Sequence, residues 1–252
     1  MLSSLITAFR TLSNLPVPGR ESQDYASSLH GFAVVGFVLG LILYAEAYGL
    51  DFLLGKQWSG GVAVLILITG IWMTRGFHLD GVADFADAFW GGYDRERTLA
   101  IMKDTNLGTF GVVALVILLL AKWVALVRLF ELSACVWIIS STVISRAMMV
   151  DLIVRYPYAR SEGVAGPFFK GAKTKHRISA FIVAAVILFL VNGLIGLIVL
   201  FAAWILSRIF GMWCMKRVGG ITGDLLGTCC ELSETFVLFL SVFIELINLS
   251  YF

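Results

Sequence analysis

The sequence predicts an all-α fold, a polytopic transmembrane helical bundle of about seven spans with its active-site loops on the cytoplasmic side. Hydrophobic residues make up 59% of the 252 and charged residues only 14%. With a mean hydropathy of +0.91, the chain carries more apolar surface than one water-enclosed core can hide, so lipid must act as solvent. Several stretches approach the roughly 20 apolar residues that a hydrocarbon layer of about 30 Å requires. Runs such as Phe181 to Val191 are continuously apolar, whereas barrel strands alternate, so the spans are helices.

The segment before the first span holds Arg10, Arg20, Glu21 and Asp24 with Pro16 and Pro18, and shows no long apolar stretch ending in a cleavage site, so no cleaved signal peptide is expected. The expected spans are Phe32 to Leu54, Gly61 to Thr74, Thr109 to Val127, Ser133 to Val154, Ile178 to Val191, Gly193 to Ile209 and Thr235 to Leu249. The second is short and is expected to continue as helix past Arg75. A single helix from Ile178 to Phe210 would run about 50 Å at ~1.5 Å per residue, so a tight re-entry is placed at Asn192-Gly193.

Basic residues cluster in alternate connections: Arg10 and Arg20; Arg75, Arg95, Arg97 and Lys103; Arg155, Arg160, Lys170, Lys173, Lys175 and Arg177; Lys216 and Arg217. Lys56 and Arg128 are the basic residues of the others. The positive-inside rule then places the amino terminus and the charged loops in the cytoplasm, at the inner membrane, with the carboxyl terminus outside. The whole chain reads as one integral membrane domain. A net charge of +2 gives no reason to expect nucleic acid as a partner. Cys135, Cys214, Cys229 and Cys230 lack metal-ligand spacing and read as small apolar side chains.

Chemistry concentrates first between Arg75 and Gly111, RGFHLDGVADFADAFWGGYDRERTLAIMKDTNLGTFG. Asp80, Asp84 and Asp87 are spaced four and three apart, which puts three carboxylates on one helical face. Oxygen-only ligands favour a hard divalent cation such as Mg²⁺, which keeps coordination positions open for phosphate oxygens. The plain alternative is a solvated acidic face, which the small neighbours Gly81, Ala83, Ala86 and Ala88 argue against. Gly91-Gly92 should break this helix, and Asp94 should start another amphipathic stretch. Arg95, Lys103 and Asp104 in that stretch are candidates for the substrate side, and the two cations read equally as surface ion pairs. His78 lies off the carboxylate face, as a catalytic group or an interfacial polar residue.

A second constellation is GGITGDLLGTCCELSE, Gly219 to Glu234, in which Asp224 and Glu231 nearly eclipse on a helix. Carboxylates at a span edge usually line a polar site, though Thr222 could simply cap a helix whose Glu231 and Glu234 face water. Arg146, inside the fourth span, needs either an anionic ligand or an interhelical carboxylate. Asp151, five residues on, is badly placed to serve it. Arg155 and Arg160 sit where phosphate recognition is plausible.

At GFHLDGVADFADAFWGG, DRERTLAIMKDTNLGTFG and GGITGDLLGTCCELSE, together with the early NLPVP segment Asn14 to Pro18, the chain resembles the cobalamin synthase, or adenosylcobinamide-GDP ribazoletransferase, family. That resemblance implies displacement of GMP from adenosylcobinamide-GDP by the ribose hydroxyl of α-ribazole or its 5′-phosphate, with Mg²⁺, at the cytoplasmic membrane. It maps the family's acidic metal-site motif onto Asp80, Asp84 and Asp87, and later elements onto Asp224, Glu231 and Glu234. His78 and Asp224 join the three aspartates as catalytic candidates. Arg95, Lys103, Asp104, Arg146, Arg155, Arg160, Glu231 and Glu234 are the substrate-binding set. The expected partners are those two substrates and membrane lipid; self-association and assembly with other cobalamin-biosynthesis enzymes are left open. Asn106 stands where relatives often carry a basic residue. The competing readings are a CDP-alcohol phosphotransferase-type lipid enzyme, whose acidic motif carries an arginine missing here, and a divalent-cation transporter, which would need acidic residues deep in the membrane.

Overall fold

The structure is a computed structural model that describes residues 2–91, 94–104 and 106–250, the side chain of Ser250 excepted. Gly92 of the expected helix break and Thr105, beside Asp104, lie outside the described residues. In chain order the helices are α1 (Leu2–Leu12), α2 (Phe32–Leu54), α3 (Ser59–Thr74), α4 (Phe77–Trp90), α5 (Arg95–Ile101), α6 (Thr109–Glu131), α7 (Trp137–Arg155), α8 (Gly166–Lys170), α9 (Thr174–Val218) and α10 (Gly223–Ser250).

Five stretches among the described residues are long and apolar enough to cross a membrane: 25–74, 109–131, 137–155, 174–218 and 223–249. Two of them double back. α2 and α3 meet at Gly55 (φ +59), and Thr69 of α3 donates to Glu46 of α2 at 3.0 Å, which makes the two helices antiparallel neighbours. Within α9, Gly193 adopts φ +62, ψ −146, a conformation that side chains with a Cβ resist. A Cβ on Gly196 would lie 2.7 Å from the Leu188 carbonyl oxygen. Residues eight apart on a straight helix are separated by about 12 Å, so α9 is a helical hairpin, re-entering where the sequence placed the turn. The Asn192 amide holds that turn by accepting from Ser140 of α7.

One expectation fails at α3. The helix does not run on past Arg75, because Arg75 and Gly76 both take left-handed conformations (φ +56 and +64). They cap α3 at Thr74 and start α4 as a separate helix. Asn14 receives Arg75 Nε at 3.1 Å and donates its own amide to the Met73 carbonyl at 2.6 Å, so the early proline-containing segment is what seals this corner.

α7 is the central pillar, buried from Trp137 to Ile153 and packed against α2, α9 and α10. It tolerates a polar sequence because its hydroxyls turn inward on their own backbone: Ser141, Thr142 and Ser145 donate to carbonyls three or four residues back at 2.9–3.1 Å. The loops rich in Lys and Arg meet at one end of the bundle. Arg95 joins the end of α9 through Val218 O (2.8 Å), and Tyr158 and Ile221 pair in an isolated parallel bridge, Ala159 N donating to Ile221 O at 3.0 Å.

Single cysteines placed at Leu194 and at Lys173 should react with a membrane-impermeant maleimide from opposite faces of intact vesicles. Labelling of both from one face would rule out a hairpin that crosses the bilayer twice.

Candidate active site

The site is made by a close crossing of α4 over the first turns of α10. A Cβ on Gly81 would come 2.6 Å from the Asp224 carbonyl oxygen, and one on Gly227 would come 3.1 Å from the His78 Cα; only glycines permit that approach. The Thr228 hydroxyl sits in the seam, 2.9 Å from Gly81 O and 2.8 Å from Asp224 O. Thr222 caps α10, accepting from Leu225 N at 3.2 Å, so the capping role that the sequence offered as the plain reading is real.

Asp80, Asp84 and Asp87 all lie on α4, but they have different surroundings. Asp80 is exposed and Asp84 half-buried. Burial, with the charges of Asp224 and Asp80 beside it and Arg160 opposing, raises the Asp84 carboxyl to about 7. Asp87 is already coordinated by protein: its two oxygens accept from Gly108 N and Gly111 N, each at 2.8 Å, and so bind up the first turn of α6. The carboxylate that joins Asp80 and Asp84 electrostatically is therefore Asp224 of the second motif. Asp224 is held by Arg160 Nη2 at 2.7 Å, and the same nitrogen reaches Met102 O at 3.0 Å. Among the described residues, no three His, Cys, Asp or Glu side chains close around a point that could hold an ion.

Beside this pair is a pocket of about 150 Å³ lined by His78, Tyr158, Arg160 and Asp224 with Phe32, Phe77 and Phe168. His78 is buried, and its Nδ1 has no hydrogen-bond partner. Arg95, Lys103, Asp104 and Arg155 are not brought to this site by any contact described. Arg95 is spent on Val218 O and Ala159 O. Lys103 and Asp104 are exposed, Asp104 closing a turn with Asn106 at 2.7 Å. Arg155 turns to Asp151 at 3.9 Å.

Arg146, Glu231 and Glu234 form a second centre. Arg146 pairs with Glu234, the interhelical alternative of the two that the sequence offered. Lys122 of α6, which sequence reasoning passed over, reaches Glu231 at 2.5 Å and Glu234 at 2.7 Å. Glu231 is buried and Glu234 nearly so, which corrects both the reading that they face water and the placing of the acidic clusters at span ends. They lie about 12 and 16 Å along α10 from its start. Two cations and two carboxylates make the group neutral, as its depth demands. A small cavity of about 70 Å³ opens onto it.

Replacing Lys122 by Met should strand two carboxylates with one arginine and cost about 3–5 kcal/mol, read as a large fall in thermal stability in detergent. The double variant Lys122→Met/Glu231→Gln should recover much of the loss. A second expectation concerns pH. The Asp84 carboxyl ordinarily titrates near 3.8 and here near 7. Between those values the folded chain keeps a proton that the unfolded chain releases, so the metal-free protein should lose stability as pH rises from about 4 to 7 and level off above. Thermal unfolding in chelator should show this slope, and Asp84→Asn should flatten it.

Residues 4–242 match the family described as Cobalamin-5-phosphate synthase. The chain is 43% identical over 247 residues to a relative from Chlorobaculum parvum named adenosylcobinamide-GDP ribazoletransferase, covering 96% of this chain and 95% of that one. A relative of the same name from Chlorobaculum tepidum is 44% identical over 243 residues, 94% of each chain, and one from Syntrophobacter fumaroxidans is 37% identical over 92% of this chain and 94% of its own. No solved structure matches. With the match running through both acidic motifs and nearly the whole membrane bundle, this chain belongs to the cobalamin-5-phosphate synthase family.

Proposed function

We propose that this chain is an adenosylcobinamide-GDP ribazoletransferase that works at the α4–α10 crossing, with its charged loops on the cytoplasmic side of the inner membrane. The names of the relatives support the activity, and the Lys and Arg bias of the loops supports the orientation. The observation that carries the site assignment is the meeting of Asp80 and Asp84 with the Asp224–Arg160 pair beside an aromatic pocket. Family membership leaves the lipid phosphotransferase and cation transporter readings without support. The deep carboxylates a transporter would need are present, but they are neutralised by Lys122 and Arg146.

The reaction requires a ribose hydroxyl of α-ribazole or its 5′-phosphate to attack the diphosphate phosphorus on the cobinamide side. A new P–O bond forms as the bond to GMP breaks, and the hydroxyl proton leaves. Arg160 lies where it can neutralise diphosphate oxygens, and the aromatic walls of the pocket suit a flat bicyclic base. His78 lines the same pocket with an unpartnered nitrogen and is the group we assign to take the proton. GMP departs as a phosphate anion and needs no proton.

The donor set also fits Mg²⁺. Asp84 is short of positive charge, and Mg²⁺ is commonly held by one or two carboxylates with substrate phosphate completing its shell. Two carboxylates drawn from Asp80, Asp84 and Asp224, together with substrate phosphate, would hold it, and its role would be to stabilise charge on the phosphoryl oxygens.

The test is GMP release by the purified full-length protein supplied with adenosylcobinamide-GDP, α-ribazole and Mg²⁺. Asp80→Asn and Asp84→Asn should each lower turnover by roughly 10² or more at normal yield. Asp87→Asn should lower yield and melting temperature instead, because an amide offers one acceptor to two N–H groups. Full activity with unchanged Mg²⁺ dependence in the first two would end the assignment.

A further inference from the structure

At the charged end of the bundle, beside a groove that shares no lining residue with the active-site pocket, three arginines gather around one carboxylate. Asp151 of α7 is buried. Its nearest cations are Arg177 Nη1 of the first arm of α9, at 3.8 Å, and Arg155 Nε, one turn along α7, at 3.9 Å. Trp204 also turns its side chain to Asp151, and no guanidinium hydrogen-bonds to either oxygen, so the guanidinium groups are near the carboxylate without being closed upon it. Arg208, on the second arm of α9, is also within electrostatic reach of Asp151. It stands 5.6 Å over the Tyr156 ring, and its Nη1 is buried with no partner, as is the Tyr156 hydroxyl. Three positive charges against one negative leave an excess of two and several unused donors.

Asp151, Arg155 and Arg177 line the groove, of about 380 Å³, that runs between the two arms of α9, with Arg208 beside Asp151 but outside that lining. Below Asp151, Arg155 and Arg177 its walls are Ile178, Phe181, Leu197, Leu200, Phe201 and Trp204. Ile178 and Phe201 are more than half exposed, on a helix pair whose composition and length suit lipid. The charged mouth is at a defined level: Arg155 is the last residue of α7 and Arg177 is in the first turn of α9. That is the level of phospholipid headgroups, with the apolar walls continuing inward from it.

We propose that this groove binds one anionic glycerophospholipid, with the phosphodiester on Arg155 and Arg177, the charge of Arg208 nearby, and an acyl chain between the arms of α9. The uncompensated charge distinguishes such a lipid from a zwitterionic one, because guanidinium groups not committed to a carboxylate can fork onto phosphate oxygens. The apolar walls distinguish it from a soluble phosphate, which would gain nothing from them.

The proposal is tested by native mass spectrometry of the full-length protein in neutral detergent, titrated with dioleoylphosphatidylglycerol or dioleoylphosphatidylcholine. One phosphatidylglycerol should be retained per chain in preference to phosphatidylcholine. The Arg177→Gln/Arg208→Gln variant should bind it roughly tenfold or more weakly. Leu197→Trp, which keeps every arginine and fills the groove, should have the same effect and serves alone if the double variant does not fold. Equal retention of the two lipids, or unchanged phosphatidylglycerol binding in the variants that fold, overturns the proposal. Displacement of the lipid by inorganic phosphate or guanosine diphosphate overturns it too, in favour of a soluble anion.

Discussion

Everything at the candidate active site depends on two helix backbones touching. Carboxylates repel one another, and a cluster of them at the edge of a lipid bilayer forms only if something else forces the approach. Here the force is packing: Gly81 against the Asp224 carbonyl and Gly227 against His78 leave no room for side chains at the crossing. The apolar lengths of α10 and α6 grip α4 on either side. Helix packing thus holds Asp84 in a place where its own electrostatics oppose ionisation, and that opposition is what makes the place attractive to a cation or to a proton in transit. The strain is offset elsewhere, notably where Asp87 binds the start of α6 and so anchors α4 from its other end.

The architecture was readable where the signal was periodic or compositional. Continuous apolar runs gave the spans, and an overlong run with Asn-Gly at its middle gave the α9 hairpin. The four-and-three spacing gave a common face for Asp80, Asp84 and Asp87. What could not be read was which groups face one another across helices. Asp87 carries the same spacing signal as its neighbours, and only the placement of Gly108 and Gly111 against it reveals a helix-capping acceptor. Arg75 ends α3 by adopting a left-handed conformation that a hydropathy count cannot register. Lys122 was hidden because a single lysine barely alters the mean hydropathy of a 23-residue helix. Its signal was depth: a cation at mid-span, on a chain with an arginine inside another span and two glutamates just before the Thr235 to Leu249 span, asks to be paired.

Two polar centres therefore share one bundle with opposite electrostatic characters. The outer one, around Asp80, Asp84 and Asp224, is under-neutralised and opens on a pocket. The inner one, Lys122 with Glu231, Glu234 and Arg146, is balanced and closely paired. They are joined by α10, which carries Asp224 and both glutamates, so the helix that presents Asp224 at the crossing is also tied by buried ion pairs to α6 and α7. Rigid support of that kind limits the drift of the Asp224 side chain.

The balanced centre also bears on how the chain is made. Lys122 and Arg146 leave the ribosome well before Glu231, which follows Lys122 by 109 residues. Until α10 is synthesised, α6 and α7 lie in the bilayer with two cations and no counter-charge, a state that favours tilting, water defects or delayed entry. Arrival of the final helix converts that frustrated intermediate into a locked bundle, and the same event delivers Asp224 to α4. Membrane integration and assembly of the carboxylate cluster at the α4–α10 crossing are consequently coupled through α10.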